Sequence, residues 1–169
     1  MDFHFATAFE LIADTIPDDP ALICGEVTRA WGELDERAAR IAGLLNAHGL
    51  EPGAKIGIYL HNSNEYAEIH HGVFKMRGCP INVNYRYKAD ELTYLLDNAD
   101  AEAVVFQSTY AMRIWEIREK LPKVKLWLQV DDGTESLLHG ALDYERTLRA
   151  AAPAPRIPRP GDDVYMLYT

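Results

Sequence analysis

Short apolar runs alternate with longer amphipathic stretches through the middle of this chain, and that alternation leaves few folds open to it. Ile56–Leu60, Ile81–Val83, Ala103–Phe106 and Leu126–Val130 read as strands. Between them lie three helical patterns: a segment lined by Tyr66, Ile69, His70, Val73 and Phe74, residues 89–98 with Leu92, Leu95 and Leu96 inside, and residues 109–120. Strands separated by helices of about 10–15 residues form βαβ units, which lay the strands parallel and cover both faces of the sheet. The sequence therefore predicts an α/β fold, a mostly parallel sheet with helices on both faces.

The flanks are less regular. Phe5 to Ile16 reads as a helix with Phe5, Phe9, Ile12, Ala13 and Ile16 on its buried face, closed by Pro17 and Pro20. Ala21–Cys24 and Val27–Ala30 flank Gly25-Glu26 as a small hairpin, and a helix from about Gly32 to His48 ends at Gly49. Asn62, with Glu65 three residues on, is the expected cap of the helix after Ile56–Leu60, and Gly78 its expected end. Residues 141–150 read as helical, and Pro153, Pro155, Pro158 and Pro160 make a stiff connector. The organisation expected is an α/β subdomain over 1–150, a connector over 151–161 and a strand over 162–169 that leads onward. With a strand that stops at Thr169 and nothing after it to pack against, the chain is expected to be the front part of a longer protein. Such a piece should expose apolar surface and self-associate, a homodimer being the simplest form, or dissolve poorly.

Composition removes several function classes. A formal net charge of −9, with the basic residues scattered, excludes a non-specific nucleic-acid surface, which needs a basic face. No stretch approaches the ~20 apolar residues of a membrane span, and Asp2 gives no basic signal-peptide head. The two cysteines, Cys24 and Cys79, are far apart and read as free thiols, so a reducing cytoplasm is expected.

Few residues carry chemistry. The helix after Ile56–Leu60 opens with His61-Asn62-Ser63-Asn64 rather than a glycine-rich turn, which argues against a dinucleotide site. His70 and His71 are adjacent, point about 100° apart on a helix and so cannot share a metal; His70 lies on the apolar stripe as a packed histidine. Asp18-Asp19, Asp131-Asp132 and Asp162-Asp163 read as solvated turn charges. No catalytic residue and no metal ligand are assigned. The best internal candidate is Asn82-Val83-Asn84-Tyr85-Arg86-Tyr87, which leaves the carboxyl end of a strand, where open α/β sheets gather ligands. Arg86 could offer a fork of donors to a phosphate, or the segment is a turn whose tyrosines pack and whose arginine is a surface charge.

Several spaced motifs then coincide. Arg29-Ala30-Trp31-Gly32-Glu33-Leu34, Pro52-Gly53-Ala54-Lys55-Ile56-Gly57-Ile58 followed by Asn62-Ser63-Asn64-Glu65-Tyr66, and Lys75 through Asn84 resemble, in order, stretches of the adenylate-forming enzymes. Tyr165-Met166-Leu167-Tyr168-Thr169 resembles the strand feeding their phosphate loop. The wording is most similar to acyl-CoA synthetases, especially bacterial fatty-acid and steroid-side-chain ligases. The resemblance implies the N-terminal part of the large domain of that fold. It also implies a ligase that joins a carboxylic acid to CoA through an acyl-adenylate, using ATP, Mg²⁺ and CoA. It places Thr169 at the start of the phosphate loop and Arg86 against the 3′-phosphate of CoA. The first motif departs from the family pattern, with Ala30 where a capping threonine is usual, which forgoes ~1 kcal/mol of helix stability. The piece alone should be inactive, since most of the phosphate loop and the hinged C-terminal domain fall outside it. Two other functions stay open: an adenylate-forming enzyme with a non-CoA acceptor, and a non-catalytic α/β assembly module.

Overall fold

The computed structural model describes residues 4–161 and 163–168. Its centre is a six-stranded sheet in the order β7-β6-β5-β3-β4-β8, formed by β3 (Lys55–Tyr59), β4 (Cys79–Asn82), β5 (Ala101–Gln107), β6 (Leu126–Val130), β7 (Leu142–Asp143) and β8 (Met166–Leu167). Every pairing in it is parallel. The antiparallel hairpin of β1 (Pro20–Cys24) and β2 (Val27–Ala30) stands apart as a separate sheet.

Side chains on the central strands alternate between two cores, as the pleat requires. Ile56 and Ile58 of β3 and Ala103 and Val105 of β5 face α2 (Trp31–Ala47), α3 (Asn64–Lys75) and α6 (Tyr144–Ala150). Tyr59 of β3 and Val104 and Phe106 of β5 face α4 (Ala89–Asn98) and α5 (Ala111–Ile117). Short 3₁₀ turns at Ser108–Tyr110 and Arg118–Lys120 extend α5 at both ends, so the helix expected over 109–120 is α-helical only in its middle. β6 and α4 match their expected bounds, while Leu142–Asp143 pairs with β6 before Asp143 caps α6 by accepting from Arg146 N at 2.7 Å.

Three local expectations are corrected. Ser63, not Asn62, caps α3, its Oγ accepting from Tyr66 N at 3.3 Å. The left-handed residue after α3 is Arg77 (φ 62), not Gly78. Gly78 instead allows a close approach, since a Cβ there would lie 2.9 Å from Val73 Cγ1. The third concerns α1 (Phe5–Thr15), which buries Ala6, Glu10 and Ala13, while Phe5 and Ile16 remain 41% and 39% exposed. The buried stripe is rotated because Glu10 is recruited into an ion cluster that hydrophobic periodicity does not register.

That cluster fastens the proline-rich segment 151–161. Glu10, Lys75 and Arg159 have side chains only 7%, 6% and 2% exposed. Lys75 Nζ and Arg159 Nη2 both donate to Glu10 Oε1, at 2.7 and 3.0 Å, and Lys75 also meets Asp35 at 2.7 Å. Arg156 forks onto Asp14 at 2.7 and 2.8 Å. Further along, Ala154 N donates to Ala39 O at 2.8 Å, and a Cβ on Gly43 would lie 2.0 Å from Ala152 O. The segment is thus a strap lying on α1, α2 and α3 rather than a free spacer. Past it, Asp163, expected with Asp162 as a solvated turn charge, instead accepts from Arg77 Nε and Nη2, both at 2.9 Å, and lies 3.1 Å from His4 Nε2, whose Nδ1 caps α1, while Asp162 lies outside the described residues. Strap and latch deliver the chain to β8 at the sheet's edge, where Val164, Tyr165 and Leu167 stay 64%, 49% and 59% exposed.

Candidate functional site

Because the sheet is parallel, every strand ends at one edge, and connections that reverse direction across β3 define where that edge opens. From β3 the chain crosses through α3 to β4 on one side and returns through α4 to β5 on the other. Helices leave on opposite faces, so a crevice forms outside the carboxyl ends of β3 and β5, the position at which open α/β sheets take up ligands.

In this chain the crevice is filled by side chains. Tyr59, the fully buried last residue of β3, stacks near Tyr110 with ring centroids 4.3 Å apart. Its hydroxyl donates to Tyr87 O at 2.8 Å and accepts from Arg113 Nη1, which itself donates to Tyr87 O at 2.8 Å. Tyr110 Oη lies 2.5 Å from His61 Nε2, the His61 ring meets Tyr85 edge-on at 4.6 Å, and His61 N donates to Gln107 Oε1 at 2.8 Å. Burial pushes the phenols of Tyr59 and Tyr110 up from their usual value, with Arg113 opposing in both. Both therefore stay protonated and available as donors at neutral pH.

The wall supports the turn that carries Arg86. Tyr87 N donates to Asn84 O at 3.0 Å, closing a β-turn, and Arg86 N donates to Asn84 Oδ1 at 3.0 Å. Asn84 shapes the turn through its own side chain, the ordinary role of an asparagine there. Just beyond, Glu91 accepts from Lys88 N at 2.9 Å and starts α4. Arg86 is exposed, with its guanidinium carbon 5.4 Å from the Tyr85 ring centroid. Arg37, Arg77, Arg156 and Arg159 all pair with carboxylates, whereas among the described residues Arg86 pairs with none.

Beside the turn opens a cleft of about 290 Å³ between the ends of β3, β4 and β8, with Asn62, Asn82, Asn84 and Tyr168 on its walls. Tyr66 Oη donates to Asn82 Oδ1 at 3.0 Å across one side of it. Asn82 is in register with Leu167, so β8 leaves the sheet at the edge where the Arg86 turn stands. Tyr168 closes that end by donating to Asn98 Oδ1 at 2.7 Å, while Thr169 lies outside the described residues.

His70 and His71 fall outside this edge. His70 Nδ1 sits 2.9 Å from Tyr66 O, and His71 stacks on Phe9 with centroids 4.0 Å apart. Burial, then the neighbouring His70 and Lys75 charges, lower the His71 pKa to about 4. The residues that sequence reasoning missed are Tyr59, His61, Tyr110 and Arg113. Their one advance signal is a phenol ending a buried strand, which needs a hydrogen-bond partner.

Comparison with known proteins places this geometry. The profile described as AMP-binding enzyme matches residues 9–169. A 3-oxocholest-4-en-26-oate–CoA ligase from Rhodococcus rhodochrous is 37% identical over 100% of this chain and 31% of its own length. Medium-chain acyl-CoA ligase Mig from Mycobacterium avium is 35% identical over 99% of this chain and 33% of its own. Among solved structures, a Mycobacterium tuberculosis fatty acyl CoA synthetase superposes with a TM-score of 0.85 at 22% identity, over 98% of this chain and 32% of that one. Mycobacterium smegmatis MbtA does so with 0.87 at 24%, over 99% and 31%. These two likenesses bear on the fold alone. The chain spans about a third of the length of the curated relatives it matches. With a profile match from Phe9 to the last residue over a parallel sheet of the same architecture, this chain belongs to the AMP-binding enzyme family.

Proposed function

We propose that this chain is the N-terminal segment of an ATP-dependent acyl-CoA ligase. In that reaction a carboxylate oxygen attacks the α-phosphorus of ATP and pyrophosphate leaves. The CoA thiolate then attacks the acyl carbon of the adenylate and AMP leaves. The observation that carries the reading is the pair of CoA ligases that match essentially the whole chain at 37% and 35% identity. The acid is a fatty or steroid-side-chain acid, a reading supported by relatives named for a medium-chain acyl group and for 3-oxocholest-4-en-26-oate.

The carboxyl edge of the sheet supplies this segment's share of the work. Thr169, the residue after Tyr168, would open the loop that takes the triphosphate. Arg86, exposed and without a carboxylate partner among the described residues, would meet the 3′-phosphate of CoA as a charge-assisted donor. Mg²⁺, when bound, neutralises charge on the triphosphate. Among the described residues no three of His, Cys, Asp and Glu gather to hold such an ion. Among them also no helix is long and apolar enough to cross a membrane, and we place the enzyme in the cytoplasm.

The test is product analysis of the full-length enzyme with ATP, CoA and a panel of fatty and steroid-side-chain acids. Stoichiometric AMP, pyrophosphate and acyl-CoA are expected. Adenylate formed but never passed to CoA would move the reading to a different acceptor. The 169-residue chain alone should turn over no acid.

A further inference from the structure

The crevice between β3 and β5 is where a parallel sheet of this topology receives a ligand, yet here it holds a wall of tyrosine, histidine and arginine. The wall's contacts converge on one object, the turn around Arg86. On one side of Arg86, Tyr87 O takes two donors, Tyr59 Oη and Arg113 Nη1, each at 2.8 Å. On the other, the Tyr85 ring is held edge-on by His61, itself fixed by Tyr110 at 2.5 Å and by Gln107 at 2.8 Å. Both neighbours of Arg86 are therefore anchored to buried elements, and the Arg86 guanidinium lies over the anchored Tyr85 ring.

The choice of anchors matters electrostatically. Arg113 lies 5.4 Å from the Tyr110 ring centroid and spends its donors on a phenol and a carbonyl. Among the described residues neither it nor Arg86 forms an ion pair with a carboxylate, and Glu91 acts on Tyr59 only at longer range. A carboxylate anchor would fix the turn equally well and would cancel the charge the turn presents. Neutral acceptors fix it without pairing that charge off at contact distance.

We propose that Arg113 and Tyr59 are positioning residues that hold the Asn84–Tyr87 turn so that Arg86 is presented to the phosphate monoester of the thiol cosubstrate. The proposal rests on Arg86 meeting that phosphate. Arg113 and Tyr59 act through the Tyr87 carbonyl and touch no substrate. A preformed turn spares the ordering cost of a mobile arginine, and the gain appears only with a cosubstrate that carries the phosphate.

The experiment is the ratio of kcat/KM for CoA to that for dephospho-CoA, which lacks the 3′-phosphate, in the full-length enzyme. Arg86→Ala should lower this ratio about tenfold, the loss of one charge-assisted hydrogen bond. Arg113→Met should lower it roughly three- to tenfold, through KM for CoA, with KM for ATP and for dephospho-CoA unchanged. Arg113→Lys, which keeps a donor for the carbonyl, should recover most of the ratio. Tyr59→Phe keeps the ring and removes only the hydroxyl, so it decides the matter if Arg113→Met does not fold. A lowered ratio in Arg86→Ala with wild-type ratios in Arg113→Met and Tyr59→Phe overturns the positioning role alone. An unchanged ratio in Arg86→Ala overturns the phosphate contact and the positioning role together.

Discussion

Arginine does opposite work on two sides of this molecule. Along the strap, Arg156 and Arg159 are consumed by carboxylates, Arg159 with its side chain 2% exposed and forked onto Glu10 at 2.9 and 3.0 Å. At the carboxyl edge, Arg113 is held by a phenol and a carbonyl, and Arg86 stands exposed over a tyrosine ring. A neutralised arginine is a fastener, and an arginine held by neutral groups keeps its charge for a ligand. The difference sets a fastened side against an edge whose exposed arginine carries the proposed phosphate contact.

Breaking the strap gives the largest expected effect. Glu10→Gln leaves Arg159 buried with its counter-charge gone, while Lys75 keeps Asp35 at 2.7 Å. Unfolding in urea should show a loss of about 3–5 kcal/mol, the usual cost of orphaning a buried charge. A loss under 1 kcal/mol would make the strap's ion cluster dispensable. His71 sharpens the same side. Its pKa is lowered from 6.5 to about 4 by burial first, so the unfolded chain takes up a proton before the folded one. Stability should be full above pH 6.5 and fall as the pH drops toward 4, by on the order of 3 kcal/mol from this group. His71→Phe should flatten that slope in unfolding curves recorded across the window.

These two effects also measure what the sequence shows. The strands and helices of the centre are legible because β6 is a short, mostly apolar run and α4 carries Leu92, Leu95 and Leu96 at helical spacing, all of them buried. The strap is hidden because Arg159 and Glu10 are 149 residues apart and prolines alone suggest only a spacer. The rotated face of α1 is hidden for the same reason, since a buried glutamate defeats a hydrophobic count. Of the candidate site, Asn84, Tyr85 and Arg86 announce a turn at a strand's end, while the wall behind them joins β3, β5 and α5 and exists only after folding. The departure at Ala30 does have its expected consequence: it is the N-cap of α2 and makes no side-chain cap bond.

Ala30→Thr should accordingly raise stability by ~1 kcal/mol, read as a shifted denaturation midpoint at constant slope. Smallest of all in stability is Arg86→Ala. An exposed arginine without a carboxylate partner should cost less than about 0.5 kcal/mol when removed. That contrast with Glu10→Gln is the sharpest test of the two-sided picture, because the same removal should be conspicuous in cosubstrate selection.

The decisive measurement is therefore the preference of the full-length enzyme for CoA over dephospho-CoA, compared between the native protein and Arg86→Ala. If the carboxyl edge receives the phosphate of CoA, the native enzyme prefers CoA, and the variant loses about tenfold of that preference with an unaltered unfolding midpoint. Equal preference in the two proteins would contradict that assignment and return Arg86 to the surface charges.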